Sequence, residues 1–506
     1  MLPWLLCFEI SIDGGDKMEF SLVKDNVADI SSDSIVFFCY EESGLPPAAR
    51  KIDRALGGFL SDKMKLSDFK GAFGKTVLVD TPGDFNTKMV VLLGLGKREN
   101  LGPLEAFRAA TIAVVRTGQR SRTVSVDFSN VDRGFLKVFL EGMACGTYEY
   151  GKFKSSGRKK NRIEKVCIAS RRISADYFSS EAAHAGAVSK SVAFSRDLVN
   201  DPPNMLTPSI LAEHALSISE GSEHLSCKVL GREEIREMGM GGLSAVSFGS
   251  SEPPRFIHLS YSPPVRSRKK VAIVGKGITF DSGGLCLKPA DSMRTMKMDM
   301  SGAAVVLGTM KALGELTPSV NVHGIVPATE NMTGASAYKP DDVVTALNGK
   351  TIEIINTDAE GRVALSDALS YAVRLGVSEI VDLATLTGAC IVALGLHNAG
   401  VMGNNANLVK SVLGSARDVG EKMWELPLDV ELREEIRSHV ADVKNVGSRW
   451  GGAITAALFL ENFVSEVPWV HIDIAGPSYV EKSSDWYQYG ATGFGVRTIV
   501  NYLMNR

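Results

Sequence analysis

The chain has 506 residues, 44% hydrophobic and 23% charged, with a formal net charge of −2; this is ordinary globular composition at a length that suggests two or more domains. The near-neutral charge excludes a general electrostatic footprint for nucleic acid or an anionic membrane, and no apolar run approaches the ~20 residues that span a bilayer. Seven cysteines and eight histidines are scattered singly, without C-x-x-C or H-E-x-x-H spacing, so the thiols read as reduced and intracellular and a metal site would rely on oxygen donors.

In chain order, Leu2 to Phe8 is apolar but has no basic leader and runs into Glu9, Asp13 and Asp16, so it fails as a signal peptide. Residues 1–17 read as an N-terminal extension, with Met18 an alternative start. Residues 18–175 read as a smaller N-terminal α/β domain, with strands over 34–39, 76–79 and 88–93 and helices over 104–118 and 134–146. The basic run Arg158, Lys159, Lys160 and Arg162 reads as solvated surface, with a nucleic-acid contact as the alternative. A linker helix over 176–200 is broken at Asp201-Pro-Pro, and a new helix starts at Ser209. Residues 201–506 form a larger domain: strand 271–274, helix 301–313, strands 320–326 and 351–355, helix 364–375 and strand 379–383. That alternation predicts an α/β fold with a mostly parallel central sheet flanked by helices.

The chemistry concentrates in 276–362. Asn356-Thr-Asp-Ala-Glu-Gly-Arg362 follows a β-branched run, and an extended or loop backbone would point Asp358, Glu360 and Arg362 to one side. Upstream, Lys276 and Asp281 lie in Gly-Lys-Gly-Ile-Thr-Phe-Asp-Ser-Gly-Gly and Asp299 in Met-Lys-Met-Asp-Met-Ser-Gly. Singly, Asp281 and Asp299 also read as turn and helix-cap residues. Together, four carboxylates in apolar, glycine-rich surroundings are costly unless cations compensate them. Two divalent ions of a kind that accepts carboxylates (Zn²⁺ or Mn²⁺, also Mg²⁺ or Co²⁺) would do so. Lys276 can join such a site only as a neutral amine. Lys288, in Leu-Lys-Pro, can stabilise an oxyanion, and Arg362 can hold an anion such as bicarbonate. With no histidine or carboxylate left over as general base, a bound anion suits that role. A two-metal phosphoesterase is the competing enzyme reading.

Asn-Thr-Asp-Ala-Glu-Gly-Arg at 356–362 resembles the signature of the leucyl aminopeptidase family, cytosolic di-metal exopeptidases. Blocks at 275–284, 287–289, 296–304 and 382–389, and Arg196-Asp-Leu-Val-Asn-Asp-Pro-Pro-Asn204, are similar to the family's in order and spacing. The match is good from about residue 180 onward and loose before it. The resemblance implies one metal held by Lys276, Asp281, Asp299 and Glu360, and a second by Asp281, Asp358, Glu360 and the main-chain oxygen of Asp358. It implies Lys288 and Arg362 as the catalytic pair, bicarbonate at Arg362 as the base, and Asp299 with one metal receiving the substrate's free amine. Met296, Met298, Thr385, Gly388 and Ala475 would line the pocket for the first side chain, favouring Leu and other apolar residues, although the methionines also suit core packing. Peptide substrates, a homo-hexamer, a cytoplasmic location and no membrane partner are further expectations. Some bacterial members also bind DNA, which makes a regulatory role through the N-terminal domain the alternative function.

Overall fold

The computed structural model describes residues 6–12, 16–83, 85–156 and 161–506. Arg158, Lys159 and Lys160 of the basic run lie outside them. The chain divides into two compact units, residues 1–193 with 482–488, and residues 194–481 with 489–506. The division falls inside the helix Ala175–Asn200.

The first unit is built on seven strands: β1 (Leu6–Ile12), β2 (Asp16–Val23), β3 (Ser32–Tyr40), β4 (Thr76–Asp80), β5 (Thr87–Gly96), β6 (Thr123–Asp127) and β7 (Lys165–Ala169), in the sheet order β1-β2-β7-β6-β3-β5-β4. The interior pairs are parallel, and the edge pairs β1–β2 and β4–β5 antiparallel. Residues 6–12, set aside above as an extension, thus supply an edge strand. The run Ile35-Val-Phe-Phe38 explains why β3 is central: its side chains alternate between faces. Val36 and Phe38 join the cluster containing Ala110 and Phe139, whereas Ile35 and Phe37 join one containing Ile52 and Leu60. Both faces are therefore apolar and covered.

The second unit carries a larger sheet. Its strands are β8 (Leu225–Leu230), β9 (Arg255–Tyr261), β10 (Lys270–Gly275), β11 (Gly277–Asp281), β12 (Asn321–Asn331), β13 (Val343–Thr345), β14 (Thr351–Glu353), β15 (Glu379–Ala384), β16 (Ala399–Gly403), β17 (Met423–Glu425), β18 (Val443–Lys444) and β19 (Trp469–Asp473). The main order is β17-β16-β19-β15-β10-β12-β9-β8, with β11 on β12. The centre is parallel, β19-β15-β10-β12, with antiparallel neighbours at β9 and β16. Ala272 and Val274 of β10 pack with Val363, Leu365 and Leu369 of the helix Glu360–Arg374 and with Phe459 of the helix Gly452–Glu461. Helix Ser301–Leu316 also packs on β10, β12 and β15. β14 is a departure from expectation: it belongs not to the main sheet but to a small side sheet, β13-β14-β18, and ends at Glu353. Its Ile352 pairs with Val443, which directs the chain into the site from beside the main sheet.

Candidate metal and catalytic site

Three connections bring the charged residues together at the carboxyl ends of parallel strands, where open α/β sheets place ligands. Lys276 follows β10, and its N–H donates to the Leu383 carbonyl of β15 at 3.0 Å. Asp281 ends β11. Asp299 lies on the 3-10 turn Met296–Met300 that leads directly into helix Ser301–Leu316. The segment 356–362, expected to be extended or loop, leaves the extended conformation at Asn356 and turns into a helix. Asn356 accepts a hydrogen bond from the Asp358 N–H at 2.8 Å, residues 357–359 make a 3-10 turn, and Glu360 opens a helix. An asparagine cap competes successfully with strand continuation here, so Glu360 and Arg362 stand on a helical first turn.

The donor oxygens of Asp281, Asp358 and Glu360 all lie within 4.8 Å of one another. Asp299 is joined to them through Lys276, whose Nζ is 2.8 Å from Asp299 and 2.9 Å from Glu360. That ammonium also donates to the Thr385 carbonyl at 3.1 Å. Lys288 Nζ bridges Asp281 at 2.8 Å and Asp358 at 2.6 Å. Gly283 and Gly284 adopt φ of 88° and 64°, open to glycine without strain; a Cβ at Gly283 would stand 2.9 Å from Asp358 Oδ1.

Four carboxylates therefore face two ammonium groups, an excess of negative charge in a buried place. Burial, with repulsion from Asp281 and Asp299, pushes the Glu360 carboxyl well above its ordinary range. Burial raises Asp299 and Asp358 as well, against the pull of the lysines. Desolvation works against charge on Lys276, but Asp299, Glu360 and Asp281 outweigh it and hold the ammonium above its usual value. The same balance, led by Asp281, raises Lys288. Carboxylates driven toward neutrality by burial and by one another's charge are what divalent cations stabilise, so the donor set fits a metal site.

Arg362 is 8% exposed. Burial lowers its guanidinium pKa to about 10. Its Nη1 donates to the Asn445 carbonyl at 2.8 Å, and its buried Nε–H has no partner among the described residues. Of the expected pocket residues, Thr385 Oγ1 donates to Asp299 Oδ1 at 2.8 Å. Met298 Sδ accepts from Ser478 Oγ at 3.7 Å, near Ala475 in sequence, while Met296 is half-buried on the same turn. Gly388 is exposed at the start of helix Gly388–Leu394. A separate cavity of about 500 Å³ opens beside Lys288, lined also by Phe280, Leu287 and Met293.

Two asparagines escaped the sequence reading. Asn331, at the end of β12, donates through Nδ2 to Asp281 Oδ1 at 2.8 Å and to the Thr357 carbonyl at 3.0 Å. Asn445 accepts through Oδ1 from the Ile355 and Asn356 N–H groups and donates to the Asn356 carbonyl. They hold the acidic segments in place, and no spacing in the sequence marks either.

Comparison with known proteins bears on the same residues. The family model described as the cytosol aminopeptidase family, catalytic domain, matches residues 193–500, and that of the family's N-terminal domain matches 36–157. A probable cytosol aminopeptidase of Aquifex aeolicus is 44% identical over 497 residues, covering 96% of this chain and 98% of the relative. One of Sulfurihydrogenibium sp. is 43% identical over 502 residues, covering 97% and 98%. Among solved structures, a mutant tomato leucine aminopeptidase is similar with a TM-score of 0.90 and 37% identity, covering 98% of each chain. The bottromycin maturation enzyme BotP in complex with Mn has a TM-score of 0.82 and 34% identity, covering 94% of this chain and 99% of that one.

Proposed function

The chain belongs to the cytosol aminopeptidase family, and on that premise we propose that it is a two-metal exopeptidase releasing Leu and other apolar N-terminal residues from peptides. The observation that carries this reading is the convergence of Asp281, Asp358 and Glu360 within 4.8 Å, flanked by two lysines in ion pairs with them.

Lys276, Asp281, Asp299 and Glu360 would hold one divalent ion, and Asp281, Asp358, Glu360 and the Asp358 carbonyl the other. Zn²⁺ or Mn²⁺ suits this set, with Mg²⁺ or Co²⁺ as alternatives. Lys276 would serve as a neutral amine, a state its carboxylate neighbours oppose and a dication beside it favours. When bound, the metals supply polarisation of the scissile carbonyl and a lowered pKa for the attacking water, and bicarbonate supplies a proton acceptor.

This chain's own groups do the rest. Asp299, which accepts from Thr385 Oγ1, would with one metal receive the substrate's free amine, which an internal peptide lacks. Lys288, in ion pairs with Asp281 and Asp358, would donate to the carbonyl oxygen as negative charge develops there. Arg362 would hold bicarbonate through the N–H groups its Asn445 contact leaves available. Met296, Met298, Thr385, Gly388 and Ala475 would receive the first side chain, the flexible methionines accommodating branched apolar groups. A homo-hexamer and a cytoplasmic location complete the reading. No helix among the described residues is long and apolar enough to cross a membrane.

The test is hydrolysis of leucyl p-nitroanilide with elemental analysis of the purified protein. Activity should vanish on exhaustive EDTA treatment and return with Zn²⁺ or Mn²⁺. Full turnover by metal-free protein would sink the proposal.

A further inference from the structure

A further cavity lies far along the chain from the acidic cluster, within the first unit. It measures about 1040 Å³ and is bounded by the helices Pro47–Ala55 and Phe59–Leu66 and the loop after them. That loop is tied to the carboxyl ends of β3 and β5: the Gly96 N–H donates to the Gly71 carbonyl at 2.9 Å, and the Glu41 N–H to the Gly96 carbonyl at 3.0 Å. Carboxyl ends of parallel strands are where such sheets take ligands.

The lining has two kinds of surface. Leu45 and Phe69 are nearly buried and Met64 half-buried, which gives an apolar wall. Arg50 and Arg54 also line the cavity, one helical turn apart on one face of their helix. Neither arginine takes part in an ion pair among the described residues; the Arg54 Nε donates only to the Arg50 carbonyl, at 3.4 Å. The nearby acids are committed elsewhere. Asp53 accepts from the Ser61 N–H at 3.1 Å and the Ser61 hydroxyl at 2.5 Å. Asp62 pairs with Lys65 at 3.6 Å, and Asp68 with Lys70 at 2.9 Å. Asp53 is hydrogen-bonded to a neutral serine, so the two guanidinium groups outnumber the one lining carboxylate that has no cationic partner; each is a planar fork of donors suited to phosphate.

We propose that this cavity binds a phosphorylated small molecule with an apolar or aromatic body, the phosphoryl group held by Arg50 and Arg54 and the body against Leu45, Met64 and Phe69. A phosphate monoester offers enough acceptor oxygens for both guanidinium forks, and the volume is far larger than bare phosphate needs. A nucleoside monophosphate has both parts.

The test is calorimetric titration of the full-length protein at physiological ionic strength with AMP, adenosine and inorganic phosphate. AMP should bind, with adenosine and phosphate each at least tenfold weaker. The double variant R50A/R54A should lose AMP binding at least tenfold while its leucyl p-nitroanilide turnover and thermal midpoint stay unchanged. In the wild-type protein, AMP should shield Arg50 and Arg54 from phenylglyoxal, read by peptide mass spectrometry, so the proposal can be judged even if the double variant misfolds. No AMP binding at millimolar concentration, binding retained in the folded double variant, phosphate binding as tightly as AMP, or no shielding would each overturn it.

Discussion

Gly361 leaves room for the Lys276 side chain and for little else: a Cβ at position 361 would stand 2.4 Å from Lys276 Cε and 2.7 Å from its Nζ. The glycine lies in the first turn of helix Glu360–Arg374, where φ is ordinary and alanine is the better helix former. The requirement is thus steric and local to the lysine. Gly361→Ala should fold, because helix propensity favours it and the displaced atoms belong to a side chain. It should nevertheless break the 2.8 and 2.9 Å contacts of Lys276 with Asp299 and Glu360. We expect a thermal midpoint within a few degrees of wild type and turnover reduced by about two orders of magnitude, as misplacement near a reacting centre costs. Wild-type turnover in the alanine variant would show that the position of Lys276 does not matter.

Lys288 differs from Lys276 in being partly accessible and in forming its ion pairs, among the described residues, with Asp281 and Asp358. If it acts on developing charge, its removal costs rate without metal. Lys288→Ala should lower kcat by about 10²–10³-fold, the usual cost of one oxyanion donor, with metal content near wild type. Asp358→Asn should lose both. A Lys288→Ala protein that is metal-depleted would assign the lysine to holding the site rather than to catalysis.

Asn331 makes a separate prediction, because one amide nitrogen ties Asp281 to the Thr357 carbonyl. Such outer contacts orient metal ligands. Asn331→Ala should weaken metal affinity by about 10–100-fold, measured by chelator competition, while excess metal restores most of the turnover. A variant whose lost activity no metal concentration restores would point to damage beyond ligand orientation.

These residues also mark how far the sequence can be read. Lys276, Asp281, Asp299, Asp358 and Glu360 stand out because charged groups in glycine-rich, apolar surroundings need a reason to be there. The strands beneath them are equally plain: β3 and β10 each carry a continuous apolar run, as strands covered on both faces do, and β15 carries one broken only by Asp382. The conformation of 356–362 was not legible, because the cap by Asn356 and the side sheet that aims it depend on Val443 and Asn445, some 90 residues away. Asn331 and Asn445 were invisible for a related reason. A lone asparagine at a strand end looks the same whether it faces solvent or two carboxylates. Strands β6 and β7 are short, and their burial comes from neighbours on either side rather than from a pattern of their own.

Beneath the site, His471 and Asp382 form a fully buried pair on neighbouring strands β19 and β15, with Nδ1 2.6 Å from Oδ1. The second oxygen of Asp382 accepts from Trp469 Nε1 at 2.6 Å. Desolvation opposes a charged imidazole here, yet Asp382, through its charge and its hydrogen bond, holds the His471 pKa above the ordinary histidine value, with Asp473 adding to it. A histidine whose pKa is higher folded than unfolded binds its proton more tightly in the folded state. Its contribution is complete below the unfolded value, about 6.5, and is lost as pH rises through the folded value. Asp382→Asn removes the charge that the imidazolium needs and should cost about 3–5 kcal/mol at pH 6, the range for breaking a buried pair. The difference between wild type and variant should then shrink as pH rises above 6.5, because His471 becomes neutral in both. Denaturant unfolding of the two proteins from pH 6 to 9 measures this directly. A difference that stays constant or grows across that range would mean that His471 is neutral in the folded protein and that Asp382 acts only as an acceptor for the two ring N–H groups.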